Sequence, residues 1–204
     1  PAQIYNHTFT ALANLAAVKE YKIKAYVSLA GDQYVFNDTL HKTINNVPVI
    51  NNYPYLEDFE SGQAGWTTEG TNISWAYGTP VGNFISNAAS GLNAWVTNLQ
   101  GVYNSDEKSW LISPCFDLSS FTVDPTLRLS LIYSTEDGSD YAWIEYSKDG
   151  GSSWSWTSPV WDVVGDVGSG INWYDEGSLP PFPQNPPPHW MNTSGSWRIA
   201  QHVV

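Results

Sequence analysis

The residues best equipped for chemistry in this chain are carboxylates gathered at the ends of apolar runs, in Glu57-Asp58-Phe59-Glu60 and in Glu136-Asp137-Gly138-Ser139-Asp140. Asp58 and Glu60 lie two apart, so on an extended strand their side chains share a face. Asp137 and Asp140 flank Gly138 in a turn able to add further oxygens. Calcium, a hard cation, takes about six to eight oxygen ligands. It is therefore the one cofactor expected, at Asp58, Glu60, Asp137 and Asp140, against the plainer reading of two solvated acidic loops. Histidines 7, 41, 189 and 202 have no metal-ligand spacing, and no His-Glu-x-x-His, Gly-x-Ser-x-Gly or phosphate-loop motif occurs. Any carboxylate pair chosen for glycoside hydrolysis would be arbitrary. No catalytic residue is assigned, and the chain is expected not to be an enzyme.

The aromatic residues offer a second kind of site. All eleven tryptophans lie at or after Trp66, and in an extended Trp154-Ser155-Trp156 both rings would share a face. Exposed indoles stack on sugar rings, while indoles buried under loops use tryptophan equally well. Just before them, Ser147-x-Asp149-x-Gly151-x-Ser153-Trp154 resembles an Asp-box. Its physics is that of a hairpin turn: Asp149 accepts backbone N–H groups across the turn, Gly151 supplies positive φ and Trp154 packs beneath. Sialidases carry such boxes away from their active site and clamp their substrate with three arginines. Only Arg128 and Arg198 are present here, so the box is read as structural.

Short strands must position these groups. Runs such as Ala94-Trp95-Val96, Leu127 to Tyr133 and Ala142-Trp143-Ile144-Glu145-Tyr146 are separated by Gly, Asn, Asp and Pro clusters, the pattern of a sandwich or jelly roll. A weak helical period covers residues 9–21. Ile23, Ala25, Val27 and Leu29 alternate with polar neighbours as in a half-buried strand; Gly31-Asp32 offers a turn and Tyr34-Val35-Phe36 a second strand. Cys115 lies in an apolar run and reads as a small buried hydrophobe. Residues 179–188, rich in proline, cannot lie inside a sheet and are expected to form an exposed loop.

Charge divides the chain. The whole carries 20 acidic and 8 basic groups, a formal net charge of −12. Residues 1–50 hold four lysines against Glu20, Asp32 and Asp38, and the excess of acid lies entirely beyond them. The composition changes near Asn45-Asn46-Val47-Pro48, a turn or linker signal, which places a domain boundary at about residue 50. A field of this sign repels nucleic acid and anionic membrane surfaces. No apolar run reaches the roughly 20 residues of a membrane-spanning helix, so no membrane insertion is expected.

From Tyr55 onward the chain resembles the MAM-like jelly rolls of Bacteroidetes surface proteins, including cleaved-adhesin domains. The matching pieces are Asp58-Phe59-Glu60-Ser61-Gly62 with Gly65-Trp66, Trp75 with Gly78-Thr79-Pro80, Ala94-Trp95-Val96-Thr97, Tyr103-Asn104, the run Leu111 to Asp117, and Tyr146 to Trp154. Their order and spacing cover about 100 residues. Tyr21-Lys22-Ile23-Lys24-Ala25-Tyr26-Val27 with Gly31-Asp32 and Asn37-Asp38-Thr39 is similar to the last strands of an immunoglobulin-like module. The resemblance implies an all-β protein: residues 1–50 as the end of an Ig-like β-sandwich and residues 51–204 as an antiparallel jelly-roll sandwich. That jelly roll looks truncated after the strand begun at Trp197-Arg198-Ile199-Ala200, which would leave an unpaired sheet edge. The resemblance adds weight to calcium near Asp58. It also implies a secreted or cell-surface, multidomain, non-catalytic adhesion or display module, with a glycan or surface protein and the flanking domains of a larger chain as partners. The alternatives are an accessory carbohydrate-binding module of a secreted enzyme and a stalk spacer.

Overall fold

The computed structural model describes residues 6–17, 19–28, 30–31, 33, 36, 38–154, 163–177 and 187–204. The chain divides into two compact units, Pro1–Val49 and Ile50–Val204. It is all-β with antiparallel strand pairs; among the described residues only Phe36 has helical backbone.

The first unit holds β1 (Lys19–Tyr26) and β2 (Thr39–Asn46), paired antiparallel. In this register Tyr21 faces Ile44, Ile23 faces Lys42 and Ala25 faces Leu40. Lys42 aside, apolar side chains therefore collect on one face while Lys22, Lys24, His41 and Thr43 take the other. Ile23, Tyr26, Val27 and Leu40 are nevertheless exposed. The strand expected to be half-buried is thus largely uncovered, because among the described residues the two strands have no second layer over them. The second strand starts at Thr39, not at Tyr34-Val35-Phe36: Phe36 is exposed outside any strand, and Tyr34 and Val35 lie outside the described residues. Among the described residues of 9–21 none is helical. A helix of that length is marginal in water, and Tyr21 is drawn instead into an eight-pair ladder.

At the boundary stands β3 (Val49–Ile50), where the Ile50 carbonyl accepts the Asp117 amide at 2.8 Å. The second unit continues through β4 (Thr67–Thr71), β5 (Trp75–Gly78), β6 (Ala94–Thr97), β7 (Lys108–Ile112), β8 (Cys115–Phe116), β9 (Thr126–Leu131) and β10 (Arg198–Val203). β4 pairs with β7, β5 with β6 and β9 with β10, each antiparallel. The period of two is plain in β6, where Ala94 and Val96 are buried and Trp95 and Thr97 half-buried. In β9, Leu127, Leu129 and Leu131 turn inward while Thr126, Arg128 and Ser130 are exposed.

Two apolar clusters lie under these strands. One gathers Tyr133, Trp173, Tyr174, Trp190 and Ala200 beneath the leucines of β9; the other gathers Ala88, Ala94 and Val96 with Ile85, Leu99 and Trp197. The run 142–146, expected as a strand, makes single bridges, Ala142 to Trp190 and Glu145 to Val163. Cys115 is half-buried, not fully buried, on the two-residue β8, where its neighbour Phe116 is exposed. The exposed loop expected over 179–188 does not reach Pro187, one of the most buried side chains, whose carbonyl lies 2.6 Å from Nδ1 of the buried His189; residues 178–186 lie outside the described residues. The last strand is not an open edge throughout. Gln201 exchanges two backbone hydrogen bonds with Ile171, both 2.9 Å, on the side away from β9.

Candidate functional site

Among the described residues of the second unit, a polar cleft of about 700 Å³ lies between residues 102–106 and 134–140. The first wall follows β6 and is pinned from several directions. Asn98 Nδ2 donates to the Val102 carbonyl at 2.8 Å, Asn72 Nδ2 to the Ser105 carbonyl at 3.2 Å and Asn104 Nδ2 to the Asn72 carbonyl at 2.9 Å. Beneath it Glu107 accepts the Ser74 hydroxyl, the Ser74 amide at 2.9 Å, the Ser109 hydroxyl at 2.5 Å and the Asn104 amide at 3.2 Å. Burial pushes the Glu107 carboxyl up, but these four donors outweigh it and hold it below the usual range.

The opposite wall is tied to the first by one tyrosine. Tyr103 donates its hydroxyl to Asp140 Oδ2 at 2.6 Å and accepts the Glu136 amide at 3.2 Å. Desolvation, then the Asp140 bond, raises its hydroxyl above the ordinary tyrosine value. Further along, the Thr135 amide donates to the Asn192 carbonyl at 2.7 Å, and the shielded Thr135 hydroxyl has no hydrogen-bond partner among the described residues.

The four carboxylates expected to hold calcium do not form one ligand set. Asp58 and Glu60 are not on a strand: Phe59 between them has φ 60°, so the chain turns, and Asp58 Oδ1 accepts the Glu60 amide at 3.0 Å. Glu60 Oε1 is occupied by the amides of Leu92 and Asn93, at 2.9 and 2.7 Å. Asp140 is held by Tyr103, and Asp137 stands exposed in its turn. Among the described residues no three His, Cys, Asp or Glu side chains gather where they could hold a metal ion. As placed, the four carboxylates do not gather as one set, Glu60 being drawn to the 92–93 amides and Asp140 to Tyr103.

The Ser147 to Trp154 turn is built by its own side chains. Asp149 Oδ1 accepts the Ser153 amide at 2.9 Å and the Ser147 hydroxyl at 2.7 Å, Oδ2 accepts the Ser153 hydroxyl at 2.6 Å, and the Gly151 amide donates to Ser147 Oγ at 2.8 Å. Gly151 has φ 84°, and the half-buried Trp154 ring lies 3.7 Å from where a Cβ on Gly151 would stand. The hydroxyls of Ser153 and Ser147, then the Ser153 amide, hold the Asp149 carboxyl at about 2. The turn is therefore fully supported above about pH 4, the ordinary aspartate value, and loses that support as pH falls through 2. The Ser153 amide resonance is expected to titrate with a midpoint near 2. A midpoint near 4 would show the carboxylate to be free.

The tryptophans divide between core and surface. Trp173 and Trp190 are buried, and Trp110 is exposed at 37%. Of the pair whose rings would share a face in an extended run, Trp154 is half-buried against Gly151, and Trp156 lies outside the described residues. The cleft is only partly announced by the sequence: Asp140 stands out in an acidic cluster, whereas Tyr103-Asn104 is marked by a resemblance alone and Ser105-Asp106 by nothing.

No family model matches the chain, and no solved structure matches it. It is similar to Bacillopeptidase F of Bacillus subtilis (strain 168), 30% identical over 129 residues, which cover 57% of this chain and 9% of that protein. The chain thus spans about a tenth of the relative's length.

Proposed function

We propose that this chain is a non-catalytic adhesion or display segment of a larger exported protein, its second unit a MAM-like, cleaved-adhesin-type jelly roll and its first the closing strands of an Ig-like module. On this reading the second unit engages a glycan or a protein on another surface. The observation that carries it is the use to which the acids are put. Glu60, Glu107 and Asp149 each accept several donors that fix loops. Carboxylates so engaged are scaffold for a recognition surface, where hydrolysis asks for a pair set across a scissile bond. The acid excess beyond residue 50 favours neutral or basic partners over nucleic acid.

A second reading, an accessory module of an exported peptidase, draws support from the partial likeness to Bacillopeptidase F. Under either reading the full chain, coupled to beads, is retained on polysaccharide- or protein-coated surfaces and hydrolyses neither casein nor chromogenic glycosides. Turnover that persists through purification and disappears on substitution of a carboxylate pair would overturn the proposal.

A further inference from the structure

We infer that the cleft between residues 102–106 and 134–140 binds a neutral, hydroxyl-rich ligand, a short run of sugar units, and so is the recognition site of the adhesive reading above, on which this inference rests. Its volume, about 700 Å³, leaves room for such a ligand. Charge narrows the ligand class. No lysine or arginine lines the cleft among the described residues, so nothing there compensates an anion. Asp106, Glu136 and Asp140 do line it, yet they do not converge as a set of three around any point where an ion could sit. A metal ion needs such convergence; a basic segment needs only one carboxylate per ammonium, and it is the rival that the titration below separates.

What the walls offer instead is acceptors interleaved with groups that donate as well: the three carboxylates alternate with the amide of Asn104 and the hydroxyls of Ser134 and Ser139. A sugar hydroxyl both donates and accepts, so a chain of sugars meets such a surface at many points. Tyr103 adds an aromatic ring whose hydroxyl is fixed between Asp140 and the Glu136 amide, which presents the ring without further ordering. The Asn72, Asn98 and Asn104 contacts likewise hold the facing wall before any ligand arrives. Preorganisation of this kind limits the entropy lost on binding.

The test is titration of the isotopically labelled full chain with cellohexaose, xylohexaose, maltohexaose and chitohexaose, and separately with hexalysine, followed by amide shifts. At least one hexasaccharide is expected to move the amides of 102–106 and 134–140, with hexalysine silent there. Ser139→Trp, which fills the cleft, and Glu136→Gln are each expected to weaken that binding tenfold or more while the melting midpoint holds. Shifts from hexalysine with all sugars silent would overturn the inference in favour of a basic segment of a protein partner. Sugar binding untouched by both variants would overturn the cleft and leave the adhesive reading standing. Silence from every compound would overturn the inference too, and bead retention then decides the adhesive reading separately.

Discussion

Replacing Trp190 by alanine is expected to lower the stability of the second unit by about 3–5 kcal/mol, the usual range for truncating a buried tryptophan. Trp190 is 2% exposed and stands at the centre of the aromatic cluster, with ring centroids 4.6 Å from Tyr174, 5.4 Å from Trp173 and 6.5 Å from Tyr133. Its indole N–H donates to the Asn172 carbonyl at 3.0 Å, so truncation also leaves a carbonyl short of a donor. The same residue fastens the 142 segment through two backbone hydrogen bonds to Ala142, 3.1 and 2.8 Å, which alanine would keep. The loss is therefore one of packing. Around the cluster Tyr133 donates to Asp175, and Arg198 of β10 lies over the Tyr133 ring at 5.2 Å and 3.8 Å from Asp175, so a cavity here loosens the last strand as well. Urea unfolding should show a lower midpoint at unchanged m-value, and Trp190→Phe should recover part of the difference. A change below about 1 kcal/mol for alanine would mean that this cluster is not what holds the unit together.

How much of this is legible in the residues depends on the reach of each interaction. The turn around Asp149 closes within seven residues, so its types and spacing nearly determine its hydrogen bonds. Strands with a clear period of two, such as β6 and β9, are likewise readable. That the four carboxylates expected at calcium are not gathered into one set is illegible for the opposite reason. The partners of Glu60 lie 32 and 33 residues away, and Phe59 leaves the extended region, neither of which a local pattern of acids reveals. In the first unit β2 begins at Thr39 because pairing with β1 extends the ladder through Leu40 and Ile44, a register that local apolar runs do not announce. The cleft is hidden in the sequence because Asn104-Ser105-Asp106 carries the composition of an ordinary turn. Only the packing of residues 134–140 against it makes a wall of that turn.

Gly70→Ala is expected to destabilise the second unit by about 2–5 kcal/mol, combining the cost of a left-handed residue with that of an overpacked contact. Gly70 lies in β4 opposite Ser109 of β7 with φ 131°, a conformation that residues with a Cβ rarely adopt. A Cβ there would stand 2.2 Å from the Lys108 carbonyl oxygen and 2.6 Å from Ser109 Cα, both backbone atoms, so no rotamer change relieves the clash. The two strands would have to part. Glu107, which accepts the Asn104 amide, immediately precedes β7, and Asn72, which donates to the Ser105 carbonyl, immediately follows β4, so both partners that pin residues 102–106 would shift with them. Gly138→Ala is the matched control. Gly138 also has positive φ, 70°, but nothing lies within 4 Å of its added Cβ, so it carries the conformational cost of about 1 kcal/mol alone. Thermal and urea melts of both variants, with the amide shifts of 102–106 as a local reporter, test the difference. Gly70→Ala should displace those shifts even where the unit remains folded. Equal stability losses in the two variants would show that the close approach of β4 to β7 is not the constraint that reserves this position for glycine.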